Sequence, residues 1–114
     1  AEVLVHYTLA EDIRALKRVK DAIAGGKPLP MALREQRVWG LKERLFERVL
    51  PRLSARVLDD LLHDAHVVDG IVKGLRTPEW PASGWQALHR LAMGLCRACA
   101  APPAAATPRA KISA

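Results

Sequence analysis

The sequence predicts an all-α protein, a compact bundle of about five helices. Three observations carry that prediction. Apolar residues recur at spacings of three and four along most of the chain. Glycine and proline punctuate the pattern at intervals suited to helices joined by short loops. No segment sustains the period-two alternation of a strand.

The first helix is read over residues 3–24, where Val5, Leu9, Ile13, Leu16, Val19 and Ile23 mark an apolar stripe. Gly25-Gly26 stops it, because glycine accepts the left-handed conformation of a helix cap, and Pro28 confirms the break. A short second helix opens at Leu29-Pro30-Met31 and runs to about Gln36. Pro30 suits a first-turn position, where its missing N–H costs nothing. The third helix is expected from Val38 to Leu50, with Val38, Leu41, Leu45 and Val49 as its stripe, widened by Phe46 and Leu50. Pro51 ends it.

Ser54 is a good N-cap for a fourth helix running to about Leu75. Val57, Leu58, Leu61, Leu62, Ala65, Val68, Ile71, Val72 and Leu75 give it a wide apolar face over about 30 Å. Residues 76–84 form a loop in which Trp80 can fold back over the core. A fifth helix from Ser83 or Gly84 to Ala100 buries Trp85, Leu88, Leu91, Ala92, Leu95 and Cys99. Residues 1–100 thus form one helical domain, and residues 101–114 an Ala/Pro-rich tail expected to be mobile.

Composition bounds the function. At 114 residues, half of them apolar, the chain suits one domain, and with five aromatic residues its core rests on Leu, Val, Ile and Ala. The net charge is +6, but Arg109 and Lys111 lie in the tail, leaving 16 basic against 12 acidic residues over 1–100. That excess is compatible with nearby nucleic acid without requiring it. Cys96 and Cys99 make no disulfide framework and fit a reducing, cytoplasmic compartment. No signal peptide or membrane span is expected. The start at Ala1, straight into helix, reads as a piece of a longer protein.

The chemical motifs are weak. Ala24-Gly25-Gly26-Lys27-Pro28 lacks the spacing, the hydroxyl residue and the preceding strand of a phosphate loop, so no nucleotide is expected to bind. Cys96-x-x-Cys99 is half a zinc site with no second half, and reads as small buried side chains near a helix end. Asp59, His63, His66 and Asp69 share the polar side of the fourth helix without a metalloprotease pattern. They read as a solvated face, and only a deep pocket holding both histidines would revive an enzyme. No catalytic residue, cofactor or metal site is therefore assigned.

The densest basic stretch is Arg34, Arg37, Lys42, Arg44, Arg48, Arg52 and Arg56, interleaved with Glu35, Glu43 and Glu47. Alternating charge usually marks a solvated face. The sharper reading is a partner surface at Arg34, Arg37, Trp39, Arg44 and Arg48, because Arg and Trp are enriched at interfaces. Gly40 after Trp39 is expected to let another backbone approach closely. The alternative is a helical nucleic-acid-binding domain using Arg34–Arg56 on phosphates.

The stretch Leu33-Arg34-Glu35-Gln36-Arg37-Val38-Trp39-Gly40 resembles the "R-V-W" segment of the C-terminal region of bacterial DNA polymerase III delta subunits, members of the AAA+-like clamp-loader family. Glu11 to Leu16 is similar to that family's first collar helix. Leu53-Ser54, Leu58, Leu61-Leu62, Ala65 and Asp69-Gly70-Ile71-Val72-Lys73-Gly74 follow in the family's order, and Trp85, Leu88 and Leu91 match its last helix. The resemblance covers about residues 3–98. It implies an oligomerisation domain that joins a helical collar with gamma/tau and delta-prime subunits. Sliding-clamp opening and polymerisation chemistry would then belong to other domains or subunits of the DNA polymerase III holoenzyme.

Overall fold

The structure, a computed structural model, describes residues 1–102. Five α-helices follow in order: α1 (Glu2–Ala24), α2 (Leu29–Glu35), α3 (Leu41–Val49), α4 (Ala55–Val72) and α5 (Gly84–Ala100), with a 3-10 turn at Leu50–Arg52 between α3 and α4. Among the described residues there is no strand. The fold is the all-α bundle of about five helices that the periodicity predicts. Most of the Ala/Pro tail lies outside the described residues.

The long helices α1, α4 and α5 form the core. His6 on α1 meets Ala65 and Asp69 on α4, while Lys17 meets Asp59, so the two helices run antiparallel. The Cβ position of Gly94 lies 3.8 Å from Leu61, and Arg90 faces Asp64, so α5 also runs antiparallel to α4. The buried stripe of α4 is Leu58, Leu61, Ala65, Val68 and Ile71. It closes on Ala10, Ile13, Leu16 and Val19 of α1 and on Ala87, Leu88 and Leu91 of α5. Ser54 caps α4 by accepting from the Val57 amide at 3.1 Å, and Ser83 caps α5 at the Gln86 amide. The α2–α3 segment packs on the C-terminal half of α1 through Leu33, Val38, Phe46 and Leu50.

Three helices end alike. Behind α1, α2 and α4 the third residue past the helix donates its N–H to a carbonyl five residues back. These bonds are Lys27 to Ala22 (2.9 Å), Val38 to Leu33 (2.9 Å) and Leu75 to Gly70 (2.8 Å). The motif places a left-handed residue before the donor. Gly26 and Gly74 fill that place, but after α2 it falls to Arg37, at φ 57°. The next residues carry the chain to Gly40, at φ 68° and ψ −140°, a region almost confined to glycine.

That turn corrects the expected third helix. It starts at Leu41, not Val38, because Arg37 and Gly40 both break helical geometry. Val38 is buried, but as the last residue of the α2 cap. Counting it into the helix gave the stripe the wrong phase. Leu41 and Leu45 face solvent at 73% and 47% exposure, and Phe46 and Leu50 face the core. No atom lies within 4 Å of where a Gly40 Cβ would sit, so backbone conformation, not close approach, requires the glycine.

Other positions also move outward. Val5 and Ile23 are exposed, and α1 buries His6 instead, a histidine that an apolar count passes over. Leu75 lies past the end of α4 and covers Gly70 rather than the core. Trp85 is 51% exposed. Each step of three back from Leu91 rotates about 60° around the helix. Leu88 is therefore at the stripe's edge and Trp85 beyond it. Trp80 does pack against the core, with the Arg90 guanidinium 4.0 Å above its ring.

Two substitutions should therefore have opposite signs. Gly40→Ala forces a side chain into a glycine region and should lower unfolding free energy by about 1–3 kcal/mol. Arg37→Gly relieves the left-handed arginine and should raise it by up to about 1 kcal/mol, the relief being partly offset by glycine's entropy. Urea titrations of both variants check the pair; two changes of the same sign would contradict it.

Candidate functional site

The surface around Trp39 is built by the α2–α3 turn. Because Gly40 sets the entry into α3, positions 41, 44, 45 and 48 share one outward face of that helix. Leu41, Arg44, Leu45 and Arg48 occupy them, and all four are exposed. Trp39 precedes them in the turn at 62% exposure. It borders a small hollow of about 160 Å³ together with Pro30, Arg34, Val38 and Glu43.

The structure thus gathers the sequence-predicted residues into two groups. Arg34 and Trp39 share the hollow, and Arg44 and Arg48 lie one turn apart on α3. Arg37 is exposed in the connecting turn. Leu41 and Leu45, expected in the core, instead share the outward face of Arg44 and Arg48. The signal that finds them is their phase, which matches the arginines and not Phe46 and Leu50.

Six bases of the described residues are neutralised locally, while Lys20, Arg52, Arg56, Arg76, Arg90 and Arg97, like the arginines of this surface, are in no ion pair among the described residues. Lys17 reaches Asp21 and Asp59, Lys27 reaches Glu35, Lys42 reaches Asp12, and Lys73 reaches Asp69. Arg14 and Arg18 both hold Glu11, and the Arg18 hydrogen bond foremost keeps that carboxyl below the usual range. Among the described residues, no ion pair involves Arg34, Arg37, Arg44 or Arg48. Arg44 and Arg48 stand at i and i+4, where like charges repel by about 0.2–0.5 kcal/mol. Arg52 leaves the basic stretch altogether and donates to the Ala101 carbonyl at 2.9 Å.

A second apolar surface was not foreseen. Leu4, Val5, Thr8, Leu9 and Asp12 of α1 and Ala92 of α5 line an open groove of about 470 Å³. Trp85, two turns before Ala92, lies on the same flank of α5.

The polar positions separate rather than converge. His66 borders a hollow of about 500 Å³ between α1 and α4, with His6, Tyr7, Arg14, Asp69 and Lys73; His63 does not line it. His6 Nε2 donates to the Ala65 carbonyl at 2.8 Å, and Nδ1 lies 3.8 Å from Asp69, beyond hydrogen-bond reach. Burial pushes the Asp64 carboxyl up, against the attraction of His63 and Arg90. Cys96 is exposed, contrary to its expected burial, because it falls off the stripe that half-buries Cys99. Burial pushes the Cys99 thiol up, which disfavours the reactive thiolate. Among the described residues no group of three or more His, Cys, Asp or Glu side chains could hold a metal ion. No helix among them is long and apolar enough to cross a membrane.

Comparison with protein-family models, curated proteins and solved structures yields no match.

Trp39→Ala removes an exposed ring, so melting should shift by no more than about 0.5 kcal/mol in unfolding free energy. Circular dichroism melts check this. A loss above about 2 kcal/mol would show that Trp39 is a packing residue of the α2–α3 junction.

Proposed function

We propose that this chain is an assembly module, the collar-type oligomerisation domain of a bacterial clamp-loader delta subunit. The observation that carries the reading is the exposed apolar surface: Leu41 and Leu45 on the outer face of α3, Trp39 in the turn before it, and the α1–α5 groove besides. Exposed apolar patches of this kind mark interaction sites in proteins that otherwise bury such residues. A ring subunit needs two different surfaces, one for each neighbour, because heterologous contacts build rings. The ordered resemblance over about residues 3–98 supplies the identity of the ring. In it the neighbours are gamma/tau and delta-prime subunits in the bacterial cytoplasm. The domain contributes no chemistry of its own to the DNA polymerase III holoenzyme, and the sliding clamp is engaged by another domain of delta.

The nucleic-acid reading is weaker on this geometry. Lys42 is paired with Asp12 and Arg52 with the Ala101 carbonyl, so the Arg34–Arg56 stretch does not present one continuous basic stripe. Leucines also stand between the remaining arginines, where a phosphate backbone would leave them uncovered.

A reconstituted clamp-loading assay tests the proposal. A ring that takes up this helical bundle in place of full-length delta lacks the clamp-opening domain. Excess chain, added before assembly, should inhibit loading, and more full-length delta should relieve the inhibition. Inhibition should persist at moderate salt, where phosphate-driven binding would fade steeply. A folded chain that leaves loading unchanged when added first contradicts the proposal.

A further inference from the structure

We propose that Cys96 and Cys99, at the end of α5, form a reversible dithiol–disulfide couple, and that closing the disulfide rewinds the last turn of that helix. The proposal stands apart from the assembly reading. Its first support is placement. The two residues are three apart on α5, so their side chains lie on neighbouring turns. Both thiols are free, Cys96 exposed and Cys99 half-buried. Cysteine is among the residue types most often buried, so packing gives no account of a thiol at position 96. Its exposure makes it the sulfur that a dissolved disulfide meets first. Cys99 packs against the core. Burial foremost, and then the neighbouring Cys96, push its thiol up.

The second support is the geometry of the helix end. Cβ atoms three residues apart in an α-helix are about 5–6 Å apart, whereas a disulfide holds them at about 3.5–4.5 Å. The bond therefore closes only if the turn tightens, and α5 ends where tightening has already begun. The Ala101 N–H donates to the Ala98 carbonyl at 3.2 Å, a 3-10 bond, and Ala101 is extended at φ −68° and ψ 159°. Side chains three apart eclipse in a 3-10 turn. Carrying that geometry back to the Cys99 N–H and the Cys96 carbonyl stacks one sulfur over the other. Arg52 donates to the Ala101 carbonyl at 2.9 Å, so the change is passed to the turn that precedes α4.

The oxidant is a low-molecular-weight disulfide, of which oxidised glutathione is the probe. The Cys96 thiolate attacks one of its sulfurs; the S–S bond breaks, a bond from Cys96 to one glutathione forms, and the other glutathione leaves as thiolate. Cys99 then loses its proton to water and attacks the Cys96 sulfur, and the second glutathione leaves as thiolate. The protein pair gives up two electrons and the glutathione pair gains them. The second step is intramolecular, so closure outruns capture of another glutathione. Because burial holds the proton on Cys99, this step is slow at neutral pH and quickens as pH rises.

The test incubates the whole chain with oxidised glutathione, quenches with acid and reads intact mass without reductant. The main product should be a monomer two hydrogens lighter than the reduced chain, and dithiothreitol should reverse it. Cys99→Ala should stop at the Cys96 adduct, one glutathione heavier, and Cys96→Ala should react about ten-fold more slowly, in step with the lower exposure of Cys99. Circular dichroism establishes that each variant is folded, and Cys99→Ser replaces Cys99→Ala if that one is not. Amide hydrogen exchange over residues 99–101 should quicken in the oxidised chain and recover on reduction. A chain that is mainly cross-linked to a second copy overturns the proposal. So does an adduct on the unsubstituted chain that fails to close as pH is raised. A disulfide that forms while exchange at 99–101 stays unchanged overturns it too, because the bond then leaves the turn as it was.

Discussion

The packing of α4 against α1 is the contact on which the rest of the molecule depends. With so few aromatic side chains, the core gains its stability from close aliphatic interdigitation. Ala10 and Ala65 are almost fully buried at this seam, and their small side chains let the helix axes approach. The same seam takes in a polar group, His6, which is held by a bond to the carbonyl of Ala65. Once α1 and α4 are antiparallel, α5 closes the remaining side of α4. The leftover half of α1 then has an apolar edge that only the short α2–α3 segment can cover.

That segment converts packing into surface. Leu33, Val38, Phe46 and Leu50 are drawn into the core, so the two short helices must be joined by a turn tight enough to leave both in place. The turn uses a left-handed arginine and a glycine in an extended conformation with positive φ. Its consequence is the phase of α3, which directs Phe46 inward and Leu41 and Leu45 outward. The exposed ridge is therefore fixed by the core: rotating α3 to hide the leucines would expose Phe46.

Much of this architecture is legible in the sequence, for identifiable reasons. Gly25-Gly26, Ser54 and Ser83 act locally, through cap geometry, and mark helix ends within a residue or two. The α4 stripe reads correctly because a long helix in the middle of a bundle averages over many turns. The α2–α3 segment misleads because its turn contains no proline and only one glycine, so Val38 seems to continue the next helix's periodicity. Trp85 misleads because the stripe of α5 drifts around the helix with each step of three. Arg34, Trp39, Arg44 and Arg48 are legible as an Arg- and Trp-enriched set. Their grouping with Leu41 and Leu45 is not, since it depends on where α3 starts. The α1–α5 groove joins residues some eighty positions apart and has no local signature.

The central claim is that the bundle exists to bind neighbouring helical domains. Size-exclusion chromatography with light scattering, on this chain mixed with purified gamma/tau and delta-prime subunits, tests it most directly. The account predicts that the chain co-elutes with them in a complex of defined mass, and that the complex survives moderate salt. A folded chain that elutes alone, at its own mass, whatever the ratio of subunits would contradict it.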